Sequence, residues 1–201
     1  MDFLALQETI KSSFTPAELS SIDPRGCFAW HFTPATGHSG GILLGVNEDA
    51  FEVQLWSSGA FHIRADVLQL ENSKTWSFFV VYGPADHRRS PEFLQELTGA
   101  IQACPHPLVV GGDFNLIRGS EDKNNTNINW PRVHRFNDCI ANLALRDVRR
   151  GGARYTWTNK QLNPVRCVLD RVFMSLIGKR FSHYARWWRR PLWALTTPPF
   201  C

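Results

Sequence analysis

The sequence lacks the features that mark membrane and secreted proteins. No stretch of its 201 residues approaches the roughly 18 to 20 continuous apolar residues that a membrane-spanning helix needs. Residues 1–6 show no basic cluster followed by a full apolar segment, which is the pattern of a secretory signal peptide. We therefore expect an intracellular protein, nuclear or cytoplasmic, that is neither secreted nor bound to a membrane.

Cysteine is scarce and unpaired along the sequence. The five cysteines lie far apart, and no two of them form a Cys-x-x-Cys pair. This spacing argues against a disulfide scaffold and against a zinc site, so we expect reduced thiols. Nothing in the composition indicates disorder, and the length suffices for one sizeable core. The sequence therefore predicts a single domain.

Acidic residues are missing from the last part of the chain. Residues 176–201 contain five basic residues and no acidic one, whereas residues 1–175 contain 17 basic and 18 acidic residues. The formal net charge of +4 therefore belongs to the tail, and the body of the chain is close to neutral. A phosphate-binding surface on this body would have to come from the arrangement of individual side chains, because bulk charge does not supply one.

What the sequence does contain is a short apolar run, residues 107–112, that ends in two glycines and is followed by Asp113 and Asn115. The run is too brief for a helix and favours a buried strand that delivers polar groups to its C-terminal end. Alternate side chains of an extended segment share a face, so Asp113 and Asn115 would lie together, opposite Phe114. The alternative is a strand-ending turn in which Asp and Asn only satisfy the neighbouring backbone.

The spacing of apolar residues predicts further strands and two helices. Strand-like runs cover residues 3–6, 39–46, 51–56, 60–70, 75–82, 154–158 and 165–173, and helical spacing covers residues 91–103 and 131–143. Residues 3–6 fit a helix start equally well. Ser90 is expected to cap the first predicted helix, with Pro91 at its first position. The polar loop at residues 118–129 is of a kind that is usually functional or mobile.

Polar side chains sit at the ends of three predicted strands and inside a fourth. Glu8, Tyr82 and Asp113 follow or end apolar runs, and Asp170 lies within the last one. The alternative for Asp170 is a position on the solvent-facing side of its strand, where it would pair with Arg166 or Arg171. The alternation of strand and helix patterns favours an α/β sandwich with helices outside packed sheets.

Six short motifs occur in the order seen in the endonuclease/exonuclease/phosphatase superfamily. They are Leu-Gln-Glu-Thr at 6–9, Ser-Gly-Gly at 39–41, Val-Tyr-Gly-Pro at 81–84, Gly-Gly-Asp-Phe-Asn at 111–115, Tyr-Thr-Trp-Thr-Asn at 155–159 and Leu-Asp-Arg-Val-Phe at 169–173. More narrowly, residues 2–175 resemble the endonuclease domain of LINE-type non-LTR retrotransposons. The resemblance implies a DNase I-like, four-layer α/β/β/α sandwich of two packed mixed sheets. It also implies hydrolysis of a DNA phosphodiester that depends on Mg²⁺, with Mn²⁺ as a substitute.

The resemblance implies a role for each polar strand end. Glu8 would bind the metal ion, since a hard divalent cation prefers carboxylate oxygen. Asp113 would activate the attacking water and Asn115 would hold a phosphate oxygen. Tyr82 would stabilise the charge that develops on phosphorus, and Asp170 would orient a histidine. The residues expected to face DNA are Arg118, Lys123, Thr156, Trp157 and Asn159, although Trp157 fits a core aromatic position equally well.

Two parts of the family pattern are missing from this sequence. The family's first strand carries an Asn and would lie ahead of residue 1, and the Ser-Asp-His triplet of its last strand does not occur in residues 176–201. His183 is the only histidine of the tail, and we do not expect it to act as a substitute. Asp170 is therefore left without the histidine that it would orient.

A frameshift would explain the missing triplet. If the codons are read one base out of phase, residues 193–199 can encode Gly-Ser-Asp-His-Thr-Pro, so we predict a frameshift at about Ser175. The basic tail, residues 176–201, would then be accidental. The nucleotide sequence of codons 174–201 tests this prediction, and codons that cannot encode Ser-Asp-His in the shifted frame would contradict it.

The first hypothesis is therefore a retrotransposon-derived, Mg²⁺-dependent DNA endonuclease domain at residues 1–175, with impaired activity and a frameshifted tail. We expect a monomer that acts on DNA and was formerly linked to a reverse transcriptase. Two alternatives stay open. One is a catalytically dead remnant that retains metal or DNA binding, and the other is a phosphomonoesterase or phospholipase on the same fold.

Overall fold

The computed structural model describes residues 1–36, 39–148 and 151–175. The strands in these ranges are β1 (Phe3–Gln7), β2 (Phe28–Thr36), β3 (Ser39–Asn47), β4 (Phe51–Ser58), β5 (His62–Gln69), β6 (Lys74–Tyr82), β7 (Leu108–Asp113), β8 (Leu145–Asp147), β9 (Trp157–Thr158), β10 (Arg166–Cys167) and β11 (Asp170–Ser175). The helices are α1 (Pro16–Ile22), α2 (Ser90–Gln102) and α3 (Trp130–Asn142). Two short 3₁₀ turns lie at His87–Arg89 and Ser120–Asp122.

The strands form two main sheets. The larger sheet has six strands in the order β4-β5-β6-β7-β11-β8, and the smaller sheet has three in the order β1-β3-β2. Strands β6 and β7 are parallel, while the other pairs of both sheets are antiparallel. A parallel pair needs a crossover connection, which α2 provides. The C-terminal ends of β6 and β7 therefore meet at the same edge of the larger sheet.

The two sheets pack face to face through an apolar layer. Alternate residues of β5, namely Ile63, Ala65 and Val67, point into this layer, as expected from the two-residue period of a strand. Phe3 of β1 contacts Phe78 of β6 with ring centroids 4.7 Å apart. The layer holds the smaller sheet against the larger one through burial of apolar area, which is a strong but non-directional force.

Helices α2 and α3 cover the outer face of the larger sheet. Five phenylalanines that are at least 95% buried dominate this second core: Phe61, Phe93, Phe114, Phe136 and Phe173. Phe114, which directly follows the catalytic candidate Asp113, contacts Phe173 edge to face at 5.2 Å. The layered α/β sandwich expected from the sequence is confirmed.

Several local predictions need correction. Ser90 does not cap α2, because the N-cap residue is Arg89 and the Ser90 hydroxyl is buried without a hydrogen-bond partner in the part of the chain that is described. The strand expected at residues 154–158 is reduced to Trp157–Thr158, and the one expected at residues 165–173 is divided between β10 and β11. The sequence analysis also did not predict α1, although Thr15 and Glu18 form a capping box at its start, and it did not predict β2.

No helix among the described residues is both long and apolar enough to cross a bilayer. The four cysteines in the described ranges, Cys27, Cys104, Cys139 and Cys167, are free thiols. The predicted frameshifted tail, together with His183, lies outside the described residues.

Candidate active site

The register of the larger sheet brings three of the predicted site residues side by side. Tyr82 at the end of β6 pairs with Asp113 at the end of β7, and Asp113 pairs with Asp170 at the start of β11. Paired residues on neighbouring strands share a face of the sheet and lie about 5 Å apart. The strand ends that the sequence singled out therefore form one cluster.

Glu8 reaches this cluster from the smaller sheet. It directly follows β1 and has a positive φ of 53°. Two glycines of β3 hold the turn that it begins: the Thr9 N–H donates to the Gly41 carbonyl at 3.3 Å, and the Ile10 N–H donates to the Gly40 carbonyl at 3.1 Å. A Cβ at Gly41 would lie 2.3 Å from the Thr9 hydroxyl oxygen, so a larger residue would displace this turn.

Gln7, just before Glu8, crosses from one sheet to the other. Its side-chain Nε2 donates a hydrogen bond of 2.6 Å to the backbone carbonyl of Val81 on β6. Gly112 makes room for this contact, since a Cβ there would lie 2.1 Å from the Gln7 Nε2. Gly112 also has a φ of +143°, a conformation that side chains rarely adopt. The second glycine of Gly-Gly-Asp therefore serves the junction between the two sheets.

Tyr82 is held in its protonated form. Burial raises the pKa of its phenol, and the nearby carboxylates of Glu8 and Asp113 raise this pKa further. A hydrogen bond between the phenol and Glu8 acts in the same direction. At neutral pH the Tyr82 hydroxyl is therefore a hydrogen-bond donor at the centre of the cluster.

Asp113 carries the strongest sign of a chemical role. Burial raises the pKa of its carboxyl to about 7, and the Asp170 carboxylate contributes to the rise. The Asn115 N–H opposes the rise by donating to Asp113, and Glu8 adds to it. A carboxyl that titrates near neutral pH can accept a proton from a bound water, and such groups occur preferentially at functional sites.

Asn115 differs from its predicted placement. It has a φ of 51°, so it lies beyond the extended strand, and the alternation argument that put it on the same face as Asp113 was wrong. Its backbone N–H donates to Asp113 Oδ1 at 2.8 Å, which is the turn that we kept as the alternative. Its side-chain Nδ2 donates to the Gly83 carbonyl at 2.8 Å, at the end of β6. The turn itself therefore keeps Asn115 beside the cluster.

The cluster brings three carboxyl groups together at neighbouring strand ends. The neighbouring Asp170 and Glu8 carboxylates raise the cost of ionising Asp113, as the raised pKa of Asp113 shows, and a cation would relieve this repulsion. Within the described ranges no group of three or more His, Cys, Asp or Glu side chains is arranged to hold a metal ion on its own. Mg²⁺ is commonly held by one or two carboxylates, with water and substrate phosphate completing its shell. A role of Glu8 as such a carboxylate stays a prediction.

Two of the residues expected to face DNA have internal partners in the hairpin of β9 and β10. The Thr156 hydroxyl accepts the N–H of Leu169 at 2.9 Å and that of Asp170 at 3.1 Å, so it fixes the start of β11. The Asn159 Oδ1 accepts the Val165 N–H at 3.0 Å and thereby closes the hairpin loop. Trp157, by contrast, is 44% exposed, so it is not the core aromatic that we kept as an alternative.

Arg118 also has internal partners. Its Nη1 donates to Asp147 Oδ2 at 3.2 Å, and Arg171 Nη1 donates to the same oxygen at 2.9 Å. Arg171 pairs in addition with Asp122, whose carboxylate accepts the N–H groups of Arg118 and Gly119 at 2.7 and 3.3 Å. This ion network attaches the loop after Asn115 to β11. A role of Arg118 on DNA stays a prediction.

Lys123 was expected to face DNA, but the basic residues near it, His87 and Arg132, were not foreseen from the sequence. Burial lowers the pKa of His87, and Arg132 and Lys123 lower it further, while Asp86 opposes them. Lys123 and Arg132 have no ion-pair partner within the described chain. These residues come from a turn after β6, the loop after β7 and the first turn of α3, so no local pattern in the sequence could reveal the group.

The comparisons with known proteins agree with this geometry. A model of the endonuclease/exonuclease/phosphatase family matches residues 1–193. The chain belongs to this family. No curated protein matches the sequence.

Solved structures of the family share the fold at low sequence identity. The endonuclease domain of TRAS1, a telomere-specific non-LTR retrotransposon, has a TM-score of 0.59 and 12% identity, over 86% of this chain and 85% of that one. TDP2 of D. rerio, complexed with a single-strand DNA product, has a TM-score of 0.56 and 18% identity, over 87% of this chain and 70% of that one. The mannosyl-6-phosphatase Bt3783 of Bacteroides thetaiotaomicron has a TM-score of 0.56 and 12% identity, over 88% of this chain and 72% of that one. These likenesses establish the DNase I-like fold, and they span nuclease and phosphatase members of the family.

Proposed function

We propose that this family member nicks DNA by hydrolysing a phosphodiester with a divalent cation, Mg²⁺ or Mn²⁺, and that it derives from a LINE-type endonuclease. The observation that carries the proposal is the pair formed by Asp113, whose pKa is raised to about 7, and the protonated Tyr82 beside it. One group can take a proton from water, and the other can donate a hydrogen bond to a phosphate oxygen.

Each residue of the cluster has a distinct task in this proposal. Glu8 would hold the cation, which when bound polarises a phosphate oxygen and neutralises its charge. Asp113 accepts the proton of the attacking water, and the Asp170 carboxylate keeps Asp113 basic enough to do so. The Tyr82 hydroxyl donates to the oxygen on which negative charge develops, an electrostatic contribution that is usually large in such reactions. Asn115 orients a second phosphate oxygen.

The DNA backbone would lie across the loops that follow β6 and β7. Lys123 and Arg132 present positive charge there without carboxylate partners in the described chain, and Trp157 offers an exposed aromatic face. Arg118, Thr156 and Asn159 would act on the same surface by shaping the loop and the hairpin that carry these contacts.

Removing the positive charge of Lys123 or Arg132 should weaken DNA binding and its dependence on salt. For each charge-removing substitution, Lys123→Gln or Arg132→Gln, we expect the slope of log affinity against log salt concentration to fall by about 1, since each phosphate contact releases counterions. Fluorescence anisotropy with a labelled duplex across a salt series measures this slope. Lys74→Gln, at the exposed first position of β6 and so at the end of that strand remote from Tyr82, is the matched control. Equal slopes in all variants would contradict the proposed contact of Lys123 and Arg132 with the DNA phosphates.

The nicking of supercoiled plasmid tests the proposed function directly. We expect conversion to the open-circular form in Mg²⁺, none in EDTA, and a loss of about 10²- to 10⁴-fold in the Glu8→Gln variant. A folded wild-type chain that shows no nicking, yet binds Mn²⁺ or duplex DNA, would instead identify the catalytically dead remnant.

A phosphomonoesterase is the second candidate, because the same cluster would bind a terminal phosphate. The likeness to a mannosyl-6-phosphatase favours testing it. Hydrolysis of p-nitrophenyl phosphate without plasmid nicking would select this function over the first. The exposed Trp157, together with Lys123 and Arg132, which form no ion pair within the described ranges, favours a polymeric substrate.

A further inference from the structure

We infer that Gln7 is a positioning residue, whose hydrogen bond across the two sheets fixes Glu8 against Tyr82. The inference rests on the proposed function, in which Glu8 holds the metal ion and Tyr82 donates to the phosphate. Gln7 itself touches neither substrate nor metal in this account. Its role is to set the distance between a ligand carried by one sheet and the reacting groups carried by the other.

The candidate site is divided between the two sheets, so its geometry depends on how they are aligned. Glu8 belongs to the smaller sheet, while Tyr82 and Asp113 end strands of the larger one. The layer between the sheets is built from apolar side chains such as Phe3, Ile63 and Val80. Apolar contacts hold the sheets together but do not specify a register to within a few tenths of an ångström. A directional contact near the site is needed for that.

The hydrogen bond of Gln7 is such a contact. The 2.6 Å bond from its Nε2 ends on the carbonyl of Val81, the residue directly before Tyr82. Gln7 is likewise the residue directly before Glu8. The bond therefore links the backbone positions next to the two groups whose separation matters. The absence of a side chain at Gly112, the partner of Val81 in the parallel register, leaves the path of the Gln7 amide open.

Without this bond, the end of β1 is tied chiefly to its own sheet. Gln7 is the last residue of β1 to pair with β3, opposite Ile42, and the turn after it is held by Gly40 and Gly41. These bonds fix Glu8 relative to the smaller sheet alone. The phenol of Tyr82 hydrogen-bonds to Glu8, but a single bond between two side chains does not constrain the backbone that carries them. Gln7 supplies the constraint on the backbone.

Gln7→Met is the variant that tests this role, because Met has a similar length and lacks the donor. Asn47→Leu is the control: the Asn47 Nδ2 donates to the Met1 carbonyl at 3.2 Å, which is another amide-to-carbonyl bond, at the opposite end of β1. The variant also removes the bond that the Asn47 Oδ1 accepts from the Asp49 N–H at 3.0 Å, so it disturbs the smaller sheet at least as much as Gln7→Met does. Gln7→Asn, which keeps the amide but is one carbon shorter, replaces Gln7→Met if that variant does not fold. Urea unfolding establishes that each variant is folded before it is compared.

The first readout needs no metal and no activity. Tyr82 is one of three tyrosines in the chain, so 3-fluorotyrosine labelling gives a simple ¹⁹F spectrum in which the Tyr82→Phe variant identifies its signal. In metal-free protein we expect the Tyr82 resonance to shift or broaden in Gln7→Met and to stay in place in Asn47→Leu. A Tyr82 resonance that is unchanged in Gln7→Met overturns the inference. An equal displacement in both variants also overturns it, since this would be a general effect of destabilising the smaller sheet.

The second readout is Mn²⁺ affinity, measured by calorimetry. We expect Gln7→Met to weaken Mn²⁺ binding by about 10- to 100-fold, the usual effect of removing a partner that orients a ligand, and Asn47→Leu to leave it unchanged. Mn²⁺ binding that is as tight in Gln7→Met as in the wild type overturns the inference. If the wild type binds no Mn²⁺, the metal site of the proposed function is refuted. If the Tyr82 resonance is nevertheless displaced in Gln7→Met, that result supports the alignment of Glu8 by Gln7.

Discussion

Replacing Asp113 by Asn should abolish plasmid nicking and, in metal-free protein at neutral pH, increase stability. The variant keeps the size of the side chain and removes its charge. We expect nicking to fall by about 10²- to 10⁴-fold, the contribution of a positioned proton acceptor. We also expect the free energy of unfolding to rise by about 1 to 3 kcal/mol, because a buried carboxylate beside Asp170 and Glu8 destabilises the folded state.

The gain in stability should depend on pH in a specific direction. The pKa of the Asp113 carboxyl rises from an ordinary value of 3.8 to about 7 on folding. Between these two values the native state keeps a proton that the unfolded state has released, so the stability of the wild type falls as pH rises through this window. The Asn variant has no such loss. The difference between the two proteins should therefore be small near pH 4, grow towards pH 7 and stay constant above it.

Urea unfolding in EDTA at pH 5 and pH 8 measures this difference. Asp138→Asn, which changes an exposed carboxylate on α3, is the control and should alter the stability little at either pH. A stability gain for Asp113→Asn that is equal at the two pH values would show that charge is not its cause. A loss at both would mean that Asp113 makes a structural contact that Asn cannot replace.

Asp122→Ala should produce the largest loss of stability among surface-loop substitutions. Asp122 and Arg171 are both about 90% buried at the side chain, and Arg171 would keep its charge in the variant. Breaking a buried ion pair from one side typically costs about 3 to 5 kcal/mol, and we expect the lower end of this range because Arg171 keeps Asp147 as a partner. Two backbone N–H groups, those of Arg118 and Gly119, would also lose their acceptor. A loss of this size is a large part of the total stability of a domain.

Asp86→Ala is the matched control for that variant. Asp86 also pairs with an arginine and caps a short 3₁₀ turn, but its partner Arg88 is 91% exposed at the side chain. Exposed pairs contribute at most about 1 kcal/mol, so thermal unfolding should separate the two variants clearly. Similar midpoints for Asp122→Ala and Asp86→Ala would show that the network around Arg171 does not hold the loop to β11.

The elements that the sequence predicted well are those whose signal is local. The strand before Asp113 and the helices α2 and α3 follow from apolar spacing alone, and their observed bounds differ from the predicted ones by one or two residues. Strand β2 was missed because its polar residues and an internal proline, Pro34, weaken the strand pattern. Helix α1 was missed because it is only seven residues long and has no fully buried residue.

In the candidate site, too, the residues with a local signal were predicted and the contacts between distant residues were not. The choice of Glu8, Tyr82, Asp113 and Asp170 needed only strand ends and family motifs, and the register of the sheets brings these residues together. The partners that hold them could not be predicted, because each contact joins distant parts of the chain. Thr156 was expected on the DNA surface, yet its hydroxyl fixes the backbone of Asp170. Such contacts depend on side-chain directions that no local pattern encodes.

The long sequence separations within the site also govern when it can form during synthesis. Gln7 and Val81 are 74 residues apart, and Arg171 lies 49 residues beyond its partner Asp122. At about 5 to 20 residues per second, a ribosome needs on the order of ten seconds to pass from Glu8 to Asp170. The smaller sheet can form once Asn47 has been made, but throughout that interval the larger sheet still lacks β11. The cluster of Glu8, Tyr82, Asp113 and Asp170 therefore cannot assemble until almost all of the described chain has emerged from the ribosome.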